Sequence, residues 1–489
     1  MLEDEKAEKT PVIKEIPPKA ADLSEWYQAV CYKAELVSLS PVRGCVVLRP
    51  YGMGLWERLQ SELDRRFKDT GHENAYFPLL IPESLLMREA EHVEGFAPEV
   101  AWVTQGGNEK LTERLAIRPT SEVIIGTMYA EWVQSYRDLP ILINQWANVM
   151  RWEKRTRPFL RTLEFLWQEG HTAHETETEA AAEVAQMLEV YREVAEDIVG
   201  IPVYKGEKSA NERFAGATHT YSIEALMPDG KALQSGTSHE LGQNFSRAYD
   251  ISFSAEDQTQ QYAWTTSWGM SWRMLGAMIM VHGDDRGLRI PPKMAPIEVV
   301  IVPIVRGESP AVRDAAQALF TACKAAGLRT KLDDRDGKSP GNKFNEWELR
   351  GVPIRIELGE RDLTEGVATL VRRDKAVKSE GQKTTVKLAD VPATIPAMLA
   401  DIQASLFAQA KTFLDSHVHT ATSRDEFFRL LKERAGMIVI PWCNTPGCEA
   451  AIKEASSATS RVVHEPALGP TCLACGEPAR VQAHFAQSY

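Results

Sequence analysis

The stretch from Ile141 to Glu175, ILINQWANVMRWEKRTRPFLRTLEFLWQEGHTAHE, constrains this chain more than any other. It reads as two long strands joined by a basic, Pro-containing turn. Arg151 and Glu153 share one parity, while Arg161, Leu163, Phe165, Trp167, Glu169 and His171 share another, and residues two apart lie on one face of a strand. Arg151 and Arg161 are forked, permanently charged donors suited to bidentate capture of carboxylate or phosphate, and Glu153 and Glu169 are acceptors for an amine. A face with both signs suits a substrate with both signs. A solvated ribbon laced with cross-strand ion pairs accounts for the same alternation, so the choice rests on the flanking segments.

Those segments sit in an ordinary globular composition. With 489 residues, 44% hydrophobic and 25% charged, the chain should form about three domains. It has no uninterrupted apolar run of about 18 residues. Residues 1–20 are charged and Pro-punctuated, the pattern of a mobile leader rather than an export signal. The expectation is a soluble, cytoplasmic protein with no membrane partner. The net charge of −12 argues against indiscriminate polyanion binding and DNA, but local basic patches leave RNA open.

Along the chain, a short helix is expected over 23–32, then a second in which Leu55, Leu59, Leu63 and Phe67 form a stripe ending at Gly71. ENAYFPLLIP follows as a Pro-interrupted edge strand, the sort of element found at a boundary between subunits. Thr120 and Glu122 open a helix after Pro119, where a plain N-terminal cap is the competing account. Residues 178–199 read as a structural helix. A strand, a Pro-Asp-Gly turn and a second strand follow, the second entering a Gly/Ser/Thr-rich loop that gathers Gln234, Thr237 and His239, small neighbours letting a ligand approach the backbone. Arg273 stands among Met, Leu, Ala and Ile at a helix start, which points it at an anion. From Ala295 strands and helices alternate as in a separate small α/β domain.

The tail holds Cys443-x4-Cys448, 23 residues, then Cys472-x2-Cys475. Four thiolates on two turns form a closed set for a structural tetrahedral Zn²⁺, with two disulfides as the alternative in an oxidising compartment. Cys31, Cys45 and Cys323 stand alone in apolar surroundings and read as inert.

The hairpin RWEKRTRPFLRTLEFLWQEGH, with RPTSE before it and SWGMSWRMLGAM after it, resembles motif 2 and its surroundings in class II aminoacyl-tRNA synthetases. LWQEGH, GTSHELGQNFS and KSPGNKFNEWELRGVPIRIELGERD narrow the resemblance to the prolyl-tRNA synthetase family, in its archaeal and eukaryotic type, from about residue 20 to Tyr489. Only 62 residues separate His171 from Gln234, too few for the editing insertion of the bacterial type. The resemblance implies an α+β fold: an antiparallel-sheet catalytic domain over 21–294, an α/β anticodon-binding domain over 295–400 and a small α/β zinc-binding domain over 401–489. It implies ligation of L-proline to tRNA(Pro) through prolyl-adenylate, with Mg²⁺ accompanying ATP, by a homodimer joined through residues 50–85.

By motif, Arg151 bridges the proline carboxylate and the α-phosphate, and Arg161 and Arg273 hold the phosphate chain, Arg151 and Arg273 being the catalytic pair. Glu153, Thr162, Gln234, Thr237 and Ser271 fall at ATP-contacting positions. Thr120 and Glu122 accept the two N–H groups of proline, Trp167, His171 and His239 wall its ring, and Glu169 lies nearby. Glu357, with Arg372 and Arg373, is placed at the anticodon, where a carboxylate reads guanine N–H groups. Tyr489 is expected to pack back toward the catalytic domain. Threonyl- or seryl-specific synthetases are the neighbouring enzymes to exclude, and a catalytically silent RNA-binding paralogue is the non-enzyme alternative.

Overall fold

The hairpin forms at Ile141–Met150 and Glu164–His174, paired antiparallel from Ile141↔Ala173 to Met150↔Glu164. In this computed structural model, which describes residues 15–92, 100–305 and 309–489, the strands end earlier than their alternation suggests. Arg151, Glu153, Arg161 and Thr162 lie in the connection 151–163 and not on the strands. Lys154, Arg155 and Arg157 repel one another and Pro158 lacks a ladder donor, so the ribbon opens there. A backbone bond from Arg151 N to Leu163 O at 2.8 Å closes its neck.

The chain divides into two compact units, and the hairpin belongs to the one made of 63–195, 203–277 and 414–489. Within it an 11-stranded sheet runs, at its centre, through His219–Leu226, Ala232–Gly242, Trp264–Ser271, Glu164–His174 and Ile141–Met150, all antiparallel. The segment expected as a Gly/Ser/Thr-rich loop is therefore part of the strand Ala232–Gly242. Its small residues are needed on the back face, where a Cβ on Gly236 would stand 3.1 Å from the Tyr191 ring. The back is closed by the helix Glu177–Glu193, started by a Thr176 capping box, with Val184, Met187 and Tyr191 buried against the sheet. Gly170 lies opposite Trp268 and is required there, since a Cβ would fall 2.1 Å from the indole.

Beyond Tyr204–Glu207 the sheet continues into the tail strands Thr459–His464, Val481–Ala486, Met437–Trp442 and Val418–Thr420. The join is a single bridge, Val463↔Glu207. Tyr489 donates its hydroxyl to Asp229 at 2.9 Å and its backbone N–H to Ala232 O, so the last residue packs on the turn between two central strands.

The other unit comprises 1–62, 196–202 and 278–413. Its five-stranded sheet has Thr330–Leu332, Val299–Ile304 and Ile354–Gly359 parallel, then Val367–Arg372 and Lys383–Lys387 antiparallel. Val299, Val300, Ile301 and Val302 are all buried, the two-sided burial expected of their unbroken apolar run. Of the leader expected over 1–20, residues 1–14 lie outside the described residues. Lys19 is held, its amine donating to Met280 O and Gly283 O at 2.6 Å each. The helix Val391–Ser416 is long and apolar, and Ile395, Leu399, Ile402 and Leu406 form one stripe in the core of this unit.

Candidate active site

The pairing of the central strands lays side chains out in rows. Thr220, His239, Ser267, His171 and Ile143 face one another across five strands, and the next row is Ser222, Thr237, Gly269, Glu169 and Gln145. Gly269 leaves the middle of the second row without a side chain, and a cavity of about 260 Å³ opens over this floor. Gln234 would point to the back by simple alternation. A bulge at Ser235 turns it onto the same face as Thr237, and both line the cavity.

Glu169 is the hub of the floor. It accepts from the Ser121 N–H at 3.1 Å, the Ser121 hydroxyl and Gln145 Nε2 at 3.0 Å, and its Oε2 lies 3.1 Å from His171 Nε2. Burial alone would raise its pKa, but the bonds from His171, Ser121 and Gln145 hold the carboxyl below its usual range. Burial likewise opposes a charged His171, yet the Glu169 bond and the charges of Glu122 and Glu169 raise it. Ser121 caps Glu122–Trp132 in position only; its hydroxyl is spent on Glu169 rather than on the helix. The capping account of this helix start therefore fails, and Thr120 instead donates its hydroxyl to Glu122. Burial pushes the Glu122 carboxyl up, and Glu169 adds to this against the pull of His171.

Arg151 lines the same cavity. Its Nε donates to Pro119 O at 3.1 Å, and its guanidinium lies over the rings of Phe165 and Trp167 at 5.5 and 5.4 Å. The carboxylates of Glu122 and Glu169 thus share the cavity with the His171 ring and the Arg151 guanidinium, and both acids act electrostatically on Arg151. Groups of both signs in one cavity suit a small zwitterion. His239 supplies an uncharged wall. Burial and the nearby His171 lower it to about 3, its Nδ1 meets the Thr220 hydroxyl at 3.0 Å, and its ring faces Phe214 at 4.7 Å. The buried Trp167 Nε1 and Ser267 hydroxyl, both on residues lining the cavity, have no hydrogen-bond partner among the described residues.

A second, smaller cavity of about 50 Å³ is lined by Arg151, Glu153, Arg161, Thr162, Ser271 and Arg273 among others. Arg273 donates from Nε to Leu160 O at 3.1 Å. Burial, then the positive charges of Arg151 and Arg161, pull it below the usual guanidinium range. Three clustered guanidiniums set against Glu153, which pairs with Arg161 at 2.8 Å, make a place for a polyanion. Thr162 is buried and gives its hydroxyl to Glu164 O, and Ser271 accepts from the Arg273 N–H at 3.2 Å. Arg151 alone of these residues lines both cavities.

Comparison with known proteins agrees with this geometry. Residues 102–282 match the family described as tRNA synthetase class II core domain (G, H, P, S and T), residues 298–398 the anticodon binding domain, and residues 424–489 the C-terminal domain of prolyl-tRNA synthetase. A proline–tRNA ligase of Symbiobacterium thermophilum is 54% identical, covering 98% of this chain and 99% of its own length. One from Natranaerobius thermophilus is 52% identical over 98% of each, and one from Rubrobacter xylanophilus 51% over 98% of this chain and all of its own. The chain belongs to the prolyl-tRNA synthetase family.

Within this prolyl-tRNA synthetase fold the sequence reading missed Ser121, Gln145, Glu212 and Phe214. Gln145 is found only through the register that sets it beside Glu169, Ser121 only through its bonds to Glu169, and the last two sit on an irregular segment with no periodicity to read. In the anticodon-binding segment the expected residues have separate partners. Glu357 is buried and accepts from Arg355 at 2.9 Å and Lys383 at 3.0 Å. Arg372 pairs with Asp374 and Asp401. Arg373 is buried, with both terminal nitrogens on Asp284 and Nε on Glu348 O, so the structure does not bring it to Glu357. The sulfurs of Cys443, Cys448, Cys472 and Cys475 all lie within 4.8 Å of one another, with pairs at 3.7 and 3.9 Å. A tetrahedral ion with bonds of about 2.3 Å requires sulfur separations near ~3.8 Å, so the cluster fits a metal and not a disulfide.

Proposed function

We propose that the protein ligates L-proline to tRNA(Pro) in two steps. The observation that carries this reading is the place of Arg151, shared by a cavity suited to a small zwitterion and a cavity suited to a polyphosphate. A proline carboxylate oxygen attacks the α-phosphorus of ATP, forming the mixed anhydride and expelling pyrophosphate. The terminal ribose hydroxyl of tRNA(Pro) then attacks the prolyl carbonyl and AMP leaves. Charge builds on the α-phosphate as the attack proceeds, and preorganised guanidiniums at Arg151 and Arg273 stabilise it without reorganising. Arg161 holds the outer phosphates, and Glu153, Thr162, Gln234, Thr237 and Ser271 orient the nucleotide. Mg²⁺ enters with ATP on phosphate and water oxygens.

Thr120 and Glu122 receive the secondary ammonium, and Trp167, His171 and His239 enclose the ring. Because an amine contact exists in the ground state as well as the transition state, Glu122→Gln is expected to raise KM for proline about tenfold while lowering kcat less. Steady-state pyrophosphate exchange measures both, and an unchanged KM would remove Glu122 from the amine site.

The three segments 21–294, 295–400 and 401–489 are proposed as catalytic, anticodon-binding and zinc-binding domains. The family form is the one lacking an editing insertion, a reading supported by the short span from His171 to Gln234. Glu357 and Arg372 are proposed to meet the anticodon in a cytoplasmic homodimer whose subunits join through residues 50–85. The closed set of four cysteines takes a structural Zn²⁺. Elemental analysis is expected to find one zinc per chain, and Cys472→Ser to release it while proline activation persists; a folded tail with no metal would refute the site.

A further inference from the structure

The floor of the larger cavity is braced from behind. Ser267 and Gly269 line the cavity, so Trp268 between them borders it but turns its indole to the back of the sheet, as a period of two requires. That indole reaches under the neighbouring strand. Trp268 pairs with Gly170, and a Cβ on this glycine would meet three indole atoms at 2.1 to 2.2 Å. The ring thus fills a notch that only glycine leaves open. On either side of the notch, facing the cavity, stand Glu169 and His171.

The indole is held in turn. Phe67 at 4.9 Å, the edge of His72 at 5.2 Å and Tyr191 at 6.5 Å surround it. Its Nε1 has no hydrogen-bond partner among the described residues, so packing and not a polar contact sets its place. His72, whose side chain is fully buried, is fixed at both ring nitrogens. Nδ1 meets the Thr70 hydroxyl at 3.0 Å, and Nε2 meets Glu183, on the helix that closes the back, at 3.0 Å. Neither His72 nor Glu183 lines the cavity.

We infer that Trp268 and His72 are positioning residues for the amino-acid pocket: the indole fills the notch at Gly170 and so fixes Glu169 and His171 beside it, and His72 keeps the indole there. The inference rests on reading the larger cavity as the amino-acid site. Close-packed interiors answer a change of even one methylene with shifts of side chain and backbone. Such a shift at Gly170 would stretch the bonds that Ser121 and Gln145 give Glu169. In register Gly170 adjoins Trp268 and Asn144, neither of which lines the smaller, phosphate cavity. The amino-acid side should therefore feel the change and the phosphate side should not.

The test places Trp268→Leu, His72→Gln, Gly170→Ala and the pair Gly170→Ala with Trp268→Leu beside Glu122→Gln in proline-dependent pyrophosphate exchange by the full chain. Trp268→Leu, which empties the notch, is expected to raise KM for proline about tenfold. His72→Gln can still donate to Glu183 but loses the ring, and should raise it about threefold. KM for ATP should stay within about twofold in both, as expected of an effect confined to one ligand. Gly170→Ala should lower kcat/KM for proline about 100-fold, the scale of a misplacement by an ångström. Adding Trp268→Leu to it should restore about tenfold, because the smaller side chain gives the new methyl room. KM does not depend on how much of the enzyme is folded, so a fall in kcat with KM for proline unchanged is what lost folded protein would give, and it overturns the proposal. Equal rises in both KM values, or a pair no better than Gly170→Ala alone, overturn it too. If Glu122→Gln alone raises KM for proline, only the positioning role fails; if no variant raises it, the amino-acid reading of the cavity fails as well.

Discussion

Arg151→Ala is expected to lower proline-dependent pyrophosphate exchange by a factor of about 100 or more, the scale for deleting one preorganised charge-stabilising donor. Its guanidinium is aimed by Pro119 O and by the faces of Phe165 and Trp167, and among the residues lining the two cavities it is common to both, which is the place the proposed mechanism requires. The loss should appear in kcat as well as in kcat/KM, because charge on the attacked phosphate is largest in the transition state. Stopped-flow or exchange kinetics with a rate near that of the parent would remove Arg151 from the reaction.

A second large effect is expected on stability. Glu169→Ala strips the buried acceptor from His171, Ser121 and Gln145 together, and should cost about 3 kcal/mol or more, as removal of one partner of a buried ion pair does. Its pH dependence has a definite sign. The depressed carboxyl of Glu169 contributes stability above its unfolded pKa of about 4.3, lost as pH falls through the lower folded value. The raised His171 contributes fully below its unfolded pKa of about 6.5, and that share is lost as pH rises through the higher folded value. Denaturant unfolding across pH should show the parent losing stability on the alkaline side of neutrality, with a flatter profile in the variant. An equally steep alkaline loss in both proteins would place the titration elsewhere.

The parity of Phe165, Trp167, Glu169 and His171 was legible in the sequence, because a period of two is local and the strand keeps it. The position of Arg151 and Arg161 was not, since charge repulsion and Pro158 open the ribbon where alternation continues on paper. The strand Ala232–Gly242 looked as if it gave way to a loop because its composition answers to Tyr191 behind it and to an open floor before it rather than to strand propensity. The bulge that turns Gln234 to the cavity leaves no compositional trace. The cluster of four cysteines, which could hold a metal ion, was legible from their short spacings, whereas the pairing of Thr459–His464 with Tyr204–Glu207 depends on residues more than two hundred positions apart. No local pattern encodes such a pairing. The ion pair of the buried Arg373 with Asp284 spans 89 positions, and it accounts for a residue that reads on paper as a free donor.

The account stands or falls on which amino acid this site activates. Pyrophosphate exchange into ATP, run with each standard amino acid in turn, measures that directly and needs no tRNA. The roles proposed for Thr120 and Glu122 at the amine and for Trp167, His171 and His239 around the ring predict strong exchange with proline and much weaker exchange with every other, including alanine, which is separated by only about 1 to 3 kcal/mol per missing methylene. Exchange driven equally by threonine or serine, or none with proline, would contradict it.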